Sequence, residues 1–328
     1  MNLIDSHDAA LFDLDGVIYL GEQAIGGVPE ALARLREQQV KVGFVTNNAA
    51  KTPHIVAAHL TRLGITAEAD DVVVSTQATL RQLREQLPAG AKVLAVGSQA
   101  MVELLTAGGY HVVTTAAEAP VAVVQGYHPQ LPWELLEEGV IAVQAGARWF
   151  VTNPDETRPT DRGIMPGCGA QSDLVAKCVN VDPIIAGKPY RPLLDETVQR
   201  LDATAAIFVG DRLDTDIMGA NVVGMASLFV FTGAHGKADL AAAAPTARPT
   251  HIGYGLEALF QPIRRAELTA DGASCGDMRV TLHQGAARLA TPAASTSEQL
   301  DALWAALNLT WQQGIDVSAV LPDLTELP

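Results

Sequence analysis

Two aspartates one residue apart, Asp13-Leu14-Asp15, followed by Gly16, close the apolar run Ala9-Ala10-Leu11-Phe12. Side chains alternate along a strand, so Leu14 turns into the core while Asp13 and Asp15 emerge on one side. Gly16 lets the backbone turn away with no Cβ in its path. Adjacent carboxylates repel unless a cation or a shared proton relieves them. Such a pair suits nucleophilic attack by one carboxylate, proton movement by the other, and joint capture of a hard metal. Asp and Gly also close strands in ordinary turns, so the pair alone leaves both readings open.

Other polar groups break the tie. Thr46-Asn47-Asn48 follows the apolar run Val40-Lys41-Val42-Gly43-Phe44-Val45. A hydroxyl and two amides suit a phosphate because they donate hydrogen bonds and add no charge. Lys188, in Ala186-Gly187-Lys188-Pro189, stands between a strand-like segment and a helix expected to open near Arg191, and offers a compact cation for an anion. Ile207-Phe208-Val209-Gly210 empties into Asp211-Arg212-Leu213-Asp214-Thr215-Asp216. Each set falls just past the carboxyl end of an expected parallel strand, the edge at which doubly wound α/β sheets bind ligands. Asp13, Asp15, Asp211 and Asp216 against Lys188 alone make an untenable cluster of anions, which implies a divalent cation. The donors are all oxygen, so Mg²⁺ fits better than Zn²⁺, which favours His or Cys.

The set Asp13-x-Asp15, Thr46-Asn47, Lys188 and Gly210-Asp211 through Asp216 resembles, in order, the four motifs of the haloacid dehalogenase superfamily. The stretch Val151-Thr152-Asn153-Pro154-Asp155, with Pro159-Thr160, Gly163, Pro166-Gly167 and Gly169-Ala170, is similar to a hallmark of the subgroup of nitrophenyl-phosphatases and of phosphoglycolate, pyridoxal-phosphate and glycerol-3-phosphate phosphatases. The resemblance runs from about Asp8 to about Leu259. It implies that Asp13 forms an aspartyl-phosphate and that Asp15 protonates the leaving alcohol, then deprotonates water. It makes Thr46 and Asn47 phosphate holders and Lys188 the lysine that steadies phosphate and nucleophile. It assigns the metal to Asp13, Asp211, Asp216 and the backbone carbonyl of Asp15. Asp214 reads as an outer acid or as the N-cap of the following helix, the reading preferred here.

These groups need a scaffold. The first strand–helix units run to about residue 83. Between residues 84 and 181 lies an insertion with its own α/β rhythm: a strand at Lys92–Val96, a helix near Met101–Leu105, a strand at Val121–Val124, a helix near Trp133–Gln144 and a strand at Trp149–Val151. An independent α/β unit splitting two halves of a site reads as a cap, where the family places its specificity domain. Asn153 and Asp155 then resemble the cap–core junction, either contacting substrate or bracing a sharp loop by side-chain-to-backbone bonds. The expected architecture is a doubly wound parallel-sheet (Rossmann-like) core over 1–83 and 182–265, an inserted α/β cap over 84–181, and a small α+β extension over 266–328.

In that extension, Arg279–Leu282 and Ala287–Leu289 suit a hairpin. Ser295-x-x-Glu298 is a capping box opening a helix with Leu300, Leu303, Trp304, Leu307 and Trp311 on one face. Ile315-Asp316-Val317 suits a closing strand. The apolar stripe must pack on the core, within a small module or on a second subunit. The extension is similar in position and size to the acetyltransferase-like tail of some glycerol-3-phosphate phosphatases of the family. It has no Gly-rich pyrophosphate loop, so acetyl transfer is not expected.

At 328 residues, 48% hydrophobic and 18% charged, the chain is ordinary globular material for about two domains. A net charge of −15 argues against nucleic acid and anionic membrane as partners. The N-terminus lacks the pattern of a signal peptide, and Cys168, Cys178 and Cys275 form no CxxC, which suits reduced thiols in a cytoplasmic protein. The resemblance makes the chain a Mg²⁺-dependent phosphatase of small phosphorylated metabolites, glycerol 3-phosphate first. Phosphoglycolate, nitrophenyl phosphate and sugar phosphates stay open, as does an oligomer built through the cap or the extension. Carbon–halogen hydrolysis and phospho-ligand sensing are weaker alternatives, because halide departure needs no acid such as Asp15 and a sensor needs no nucleophile.

Overall fold

The computed structural model describes residues 1–160, 162–283 and 285–328, with Pro159 of the junction motif described by its main chain alone. The chain forms two compact units: Met1–Val42 with Ala203–Pro328, and Gly43–Asp202.

In the first unit the strands Ala9–Phe12, Ala206–Gly210, Ala226–Val230 and His251–Gly253 run parallel, each beside the next in that order. Ala9 pairs with Ala206 and Phe12 with Val209, so both runs end at one level. Their residues are almost all buried, as a parallel sheet covered on both faces requires. The strand Lys41–Thr46 enters beside the first, with Lys41 N–H donating to Asp8 O at 3.0 Å.

The extension belongs to this unit. Its strands Glu267–Thr269, Gly272–Cys275, Met278–His283 and Ala286–Leu289 form an antiparallel meander that includes the expected hairpin. Thr296–Gln313 is a helix opened by the expected capping box: Glu298 N–H donates to Ser295 Oγ and Ser295 N–H to Glu298 Oε2. The stripe finds its place on the core. Leu300, Leu303, Trp304 and Leu307 are buried in one cluster with Leu213, Ile217, Phe229 and Phe231, and Trp311 packs against it edge-on to Trp304. The expected strand at Ile315–Val317 does not form. Gly314 ends the helix in the left-handed region, and the Asp316 carboxylate then accepts from Ser318 N–H and Oγ, folding the chain into a turn.

In the second unit Lys41–Thr46 pairs with Val72–Val74 from Phe44 onward. A parallel sheet of the insertion runs Ile184–Ile185, Arg148–Val151, Ala122–Gln125, Lys92–Val96, His111–Val113. Alternate residues feed two cores. Leu94, Val96, Val123 and Trp149 pack with the helix Trp133–Gln144, while Val93, Ala95, Val124 and Phe150 pack with Leu80 and Leu83 of the helix Ser75–Gln86. Buried faces therefore set the units at 42/43 and 202/203, whereas motif spacing sets 83/84, 181/182 and 265/266. Ile184–Ile185, expected to serve the catalytic core, extends the inserted sheet instead. Among the described residues no helix is long and apolar enough to cross a membrane.

Candidate active site

The first unit gathers carboxylates. Asp13 N–H completes the ladder to Val209 O at 3.0 Å, then the chain turns through Gly16, whose φ of 87° is left-handed. A Cβ at Gly16 would lie 2.6 Å from Asp211 Oδ2, so glycine is needed both for the turn and for the close approach. On the neighbouring strand Asp211 follows Gly210 directly, and Asp216 lies one turn into the segment Leu213–Ile217. Arg212 N–H donates to Asp216 Oδ2 at 3.2 Å. Asp13, Asp211 and Asp216 each present an oxygen within 4.8 Å of the others; Asp211 and Asp216 are buried and Asp13 is half-buried. Three such anions in one place, all hard oxygen donors, fit Mg²⁺ or Ca²⁺. The Asp15 side chain is exposed and stands outside the trio. Burial, together with Asp15, Asp13 and Glu22, pushes the Tyr19 hydroxyl far above its ordinary range, so it stays protonated beside these acids.

Asp214 is not the N-cap of this turn. Its carboxylate pairs with Arg212 (2.7 Å to a guanidinium nitrogen) at the surface, and the backbone position that caps this turn is Arg212. The arginine is close enough to claim the acid before the helix does.

A loop that sequence reasoning missed supports Asp211. Thr232 Oγ1 donates to Gly16 O at 2.6 Å, and Ala234 N–H donates to Asp211 Oδ2 at 2.6 Å. A Cβ at Gly233 would overlap Asp211 outright. The His235 ring accepts from Leu213 N–H at 2.9 Å. The signal was available: Phe231-Thr232-Gly233 follows an apolar strand just as Thr46-Asn47 does.

The second unit gathers amides and a lysine. Asn47 Nδ2 donates to Asp155 Oδ1 at 2.9 Å and to Lys188 O at 3.0 Å, while its Oδ1 accepts from Lys188 N–H at 2.8 Å. Both amide hydrogens are committed, so the side chain expected to donate to phosphate locks the lysine loop instead. Asn153 Nδ2 donates to Asn47 O at 2.6 Å, and its Oδ1 accepts from Asp155 N–H at 3.2 Å. Of the two roles left open for Asn153 and Asp155, bracing is the one these bonds support. Gly187 is hemmed by Asn153 and Asn47, each 2.7 Å from where a Cβ would be. Thr46 Oγ1 accepts from Asn48 N–H at 3.1 Å, which leaves its own hydrogen to donate. Lys188 is 2% exposed, with Nζ 3.5 Å from Val45 O. Burial pushes the Cys168 thiol up to about 11, marking a space-filling cysteine.

The structure thus joins Asp13, Asp211 and Asp216 within one unit, and Thr46, Asn47, Asn153, Asp155 and Lys188 within the other. Parallel strands that end in paired acids define a class of hydrolase built on a doubly wound sheet. Residues 10–111 match the family described as haloacid dehalogenase-like hydrolase, and residues 185–259 match a HAD-hydrolase-like family. The chain belongs to the haloacid dehalogenase-like hydrolases. It is 43% identical over 260 residues to D-glycerol 3-phosphate phosphatase of Mycobacterium tuberculosis, covering 79% of this chain and 73% of that one. An acid sugar phosphatase of Staphylococcus saprophyticus is 35% identical over 237 residues, 72% of this chain and 90% of its own. The crystal structure of glycerol phosphate phosphatase from Mycobacterium tuberculosis in complex with magnesium superposes with a TM-score of 0.85 at 37% identity, covering 94% of this chain and 92% of that chain.

Proposed function

We propose that this protein is a Mg²⁺-dependent phosphatase of small phosphate monoesters, with glycerol 3-phosphate as the leading substrate. The observation that carries this reading is the convergence of Asp13, Asp211 and Asp216 behind an intact Asp13-x-Asp15 pair. Those three carboxylates would hold the cation, with the main-chain carbonyl of Asp15. When bound, Mg²⁺ would neutralise charge on the phosphoryl oxygens. The Asp13 carboxylate attacks phosphorus and forms an aspartyl-phosphate while the ester oxygen departs. Asp15 gives that oxygen its proton, then takes a proton from the water that hydrolyses the intermediate. The exposure of Asp15 suits a group that must exchange protons with leaving group and water.

The Thr46 hydroxyl donates to a phosphoryl oxygen, and Lys188 supplies positive charge. Asn47 acts indirectly by fixing the Lys188 loop, and Asn153 and Asp155 hold Asn47. Residues 84–181 serve as the cap that selects the alcohol portion, and residues 266–328 complete the body that carries the acids. The mycobacterial relative's name favours glycerol 3-phosphate; the staphylococcal relative's name keeps sugar phosphates as the second substrate class.

The test is phosphate release from glycerol 3-phosphate, phosphoglycolate, a sugar phosphate and nitrophenyl phosphate, before and after chelation. Release that needs Mg²⁺ and is fastest with glycerol 3-phosphate is expected. Full turnover after metal removal would overturn the metal assignment; faster turnover of another ester would replace the substrate.

A further inference from the structure

Lys237 stands where the last turn of the extension meets the loop behind Asp211. Its main-chain N–H donates to Pro328 O at 2.8 Å, and its ammonium donates to Leu324 O at 2.8 Å and to Leu327 O. One residue thus gathers three carbonyls of a five-residue segment. That segment is anchored, since Leu324 and Leu327 are buried in the cluster that also takes Leu303 and Leu307. Gly236 is pressed against the same segment, with Pro328 O only 2.6 Å from where a Cβ would stand. Burial lowers the affinity of the ammonium for its proton, and two of the three carbonyls, Leu324 O and Leu327 O, accept from it.

On its other side Lys237 is two residues from His235, whose ring receives the Leu213 N–H, and three from Ala234, whose N–H holds Asp211 Oδ2. Gly233 and Gly16 come so close to that carboxylate that a Cβ at either would clash with Asp211 Oδ2. The order is continuous: carbonyls of 324–328, Lys237, the 232–236 loop, Asp211.

We infer that Lys237 is a positioning residue that clamps the 324–328 segment onto the 232–236 loop and so presets Asp211 for its cation. This rests on the assignment of Asp211 to the metal. Groups that orient a ligand from behind typically set metal affinity by 10- to 100-fold. Without the clamp, the loop carrying Ala234 gains freedom and the Asp211 carboxylate must be ordered at the expense of binding.

The experiment titrates metal-free, full-length protein with MgCl₂ by calorimetry, alongside melting curves. Lys237→Met keeps the stem and removes the three ammonium hydrogens. It should weaken Mg²⁺ binding by about 10-fold, raise the Mg²⁺ needed for half-maximal turnover equally, and leave KM for the ester unchanged at saturating Mg²⁺. Lys237→Arg, which can still donate to the carbonyls, should restore most of the affinity. Leu32→Ala is the control: it opens buried space of the same unit outside the cluster that anchors 324–328 and should lower the melting temperature without changing Mg²⁺ affinity. Wild-type affinity in Lys237→Met, or an equal loss in Leu32→Ala, would overturn the clamp. Asp211→Ala separates the two readings: if it binds Mg²⁺ like wild type, the metal assignment has failed instead.

Discussion

The two polar sets are built on opposite principles. In the first unit Asp13, Asp211 and Asp216 crowd together with like charge, and buried anions in that arrangement repel. In the second, Asn47, Asn153, Asp155 and Lys188 are tied together by amide, carboxylate and main-chain hydrogen bonds. One set concentrates like charge that a cation would relieve; the other is cross-linked by hydrogen bonds of its own. On the proposed assignment, the contrast separates a centre of reaction, where like charge is kept because chemistry needs it, from a holder, where precision comes from hydrogen bonds within the protein.

The sharpest way to break this contrast is Asp13→Asn. The variant should lose about 10³-fold or more of turnover. In metal-free buffer it should melt no lower than wild type, because one repelling charge is gone. Retained turnover would remove Asp13 as nucleophile, and a lower metal-free melting temperature would remove the repulsion.

Asp211→Ala should abolish measurable Mg²⁺ binding, and chelation should silence the wild type, with Zn²⁺ no better than Mg²⁺ at restoring it. Full activity in a metal-stripped sample would end the argument from charge.

Asp15→Asn should cost more on alkyl phosphates than on nitrophenyl phosphate, whose leaving group departs with little protonation. The phospho-enzyme should accumulate and be trappable. Equal losses on both esters with no trapped intermediate would take the acid–base role from Asp15.

Asn47→Ala should do the reverse of Asp13→Asn. It removes the three bonds that join Asn47 to Asp155 Oδ1, Lys188 O and Lys188 N–H, at about 1–3 kcal/mol. The melting temperature should fall while calorimetric Mg²⁺ affinity stays within error of wild type. A weakened Mg²⁺ affinity with unchanged stability would blur the two sets into one.

The smallest effect concerns pH. Burial, reinforced by His7, lowers His251 from 6.5 to about 4. The unfolded chain then binds the proton more readily, so stability should decline as pH falls from about 6.5 toward 4. His251→Gln should flatten that slope in urea titrations.

The strand-end motifs were legible because position and chemistry coincide in the chain: an apolar run, then Asp13, Thr46 or Asp211. The helices Trp133–Gln144 and Thr296–Gln313 were legible from period and cap. What escaped depends on competition between partners. Asp214 is a reasonable N-cap until Arg212 folds back on it. Asn47 is a reasonable phosphate donor until Lys188 and Asp155 take both its hydrogens. Ile315 and Val317 are apolar enough for a strand, but Asp316 bends the chain first. Ile184–Ile185 is too short for its sequence to choose a sheet.

The discontinuity of the first unit bears on synthesis. Gly43–Asp202 is one uninterrupted stretch and can fold as it leaves the ribosome. Ala9–Phe12, by contrast, has Lys41–Thr46 close at hand on one side but must wait on the other for Ala206–Gly210, a partner roughly 200 residues downstream, and closing so long a loop is slow. The strand that ends in Asp13 therefore spends most of translation as an apolar segment with an unpaired edge, the kind of segment that chaperones shelter.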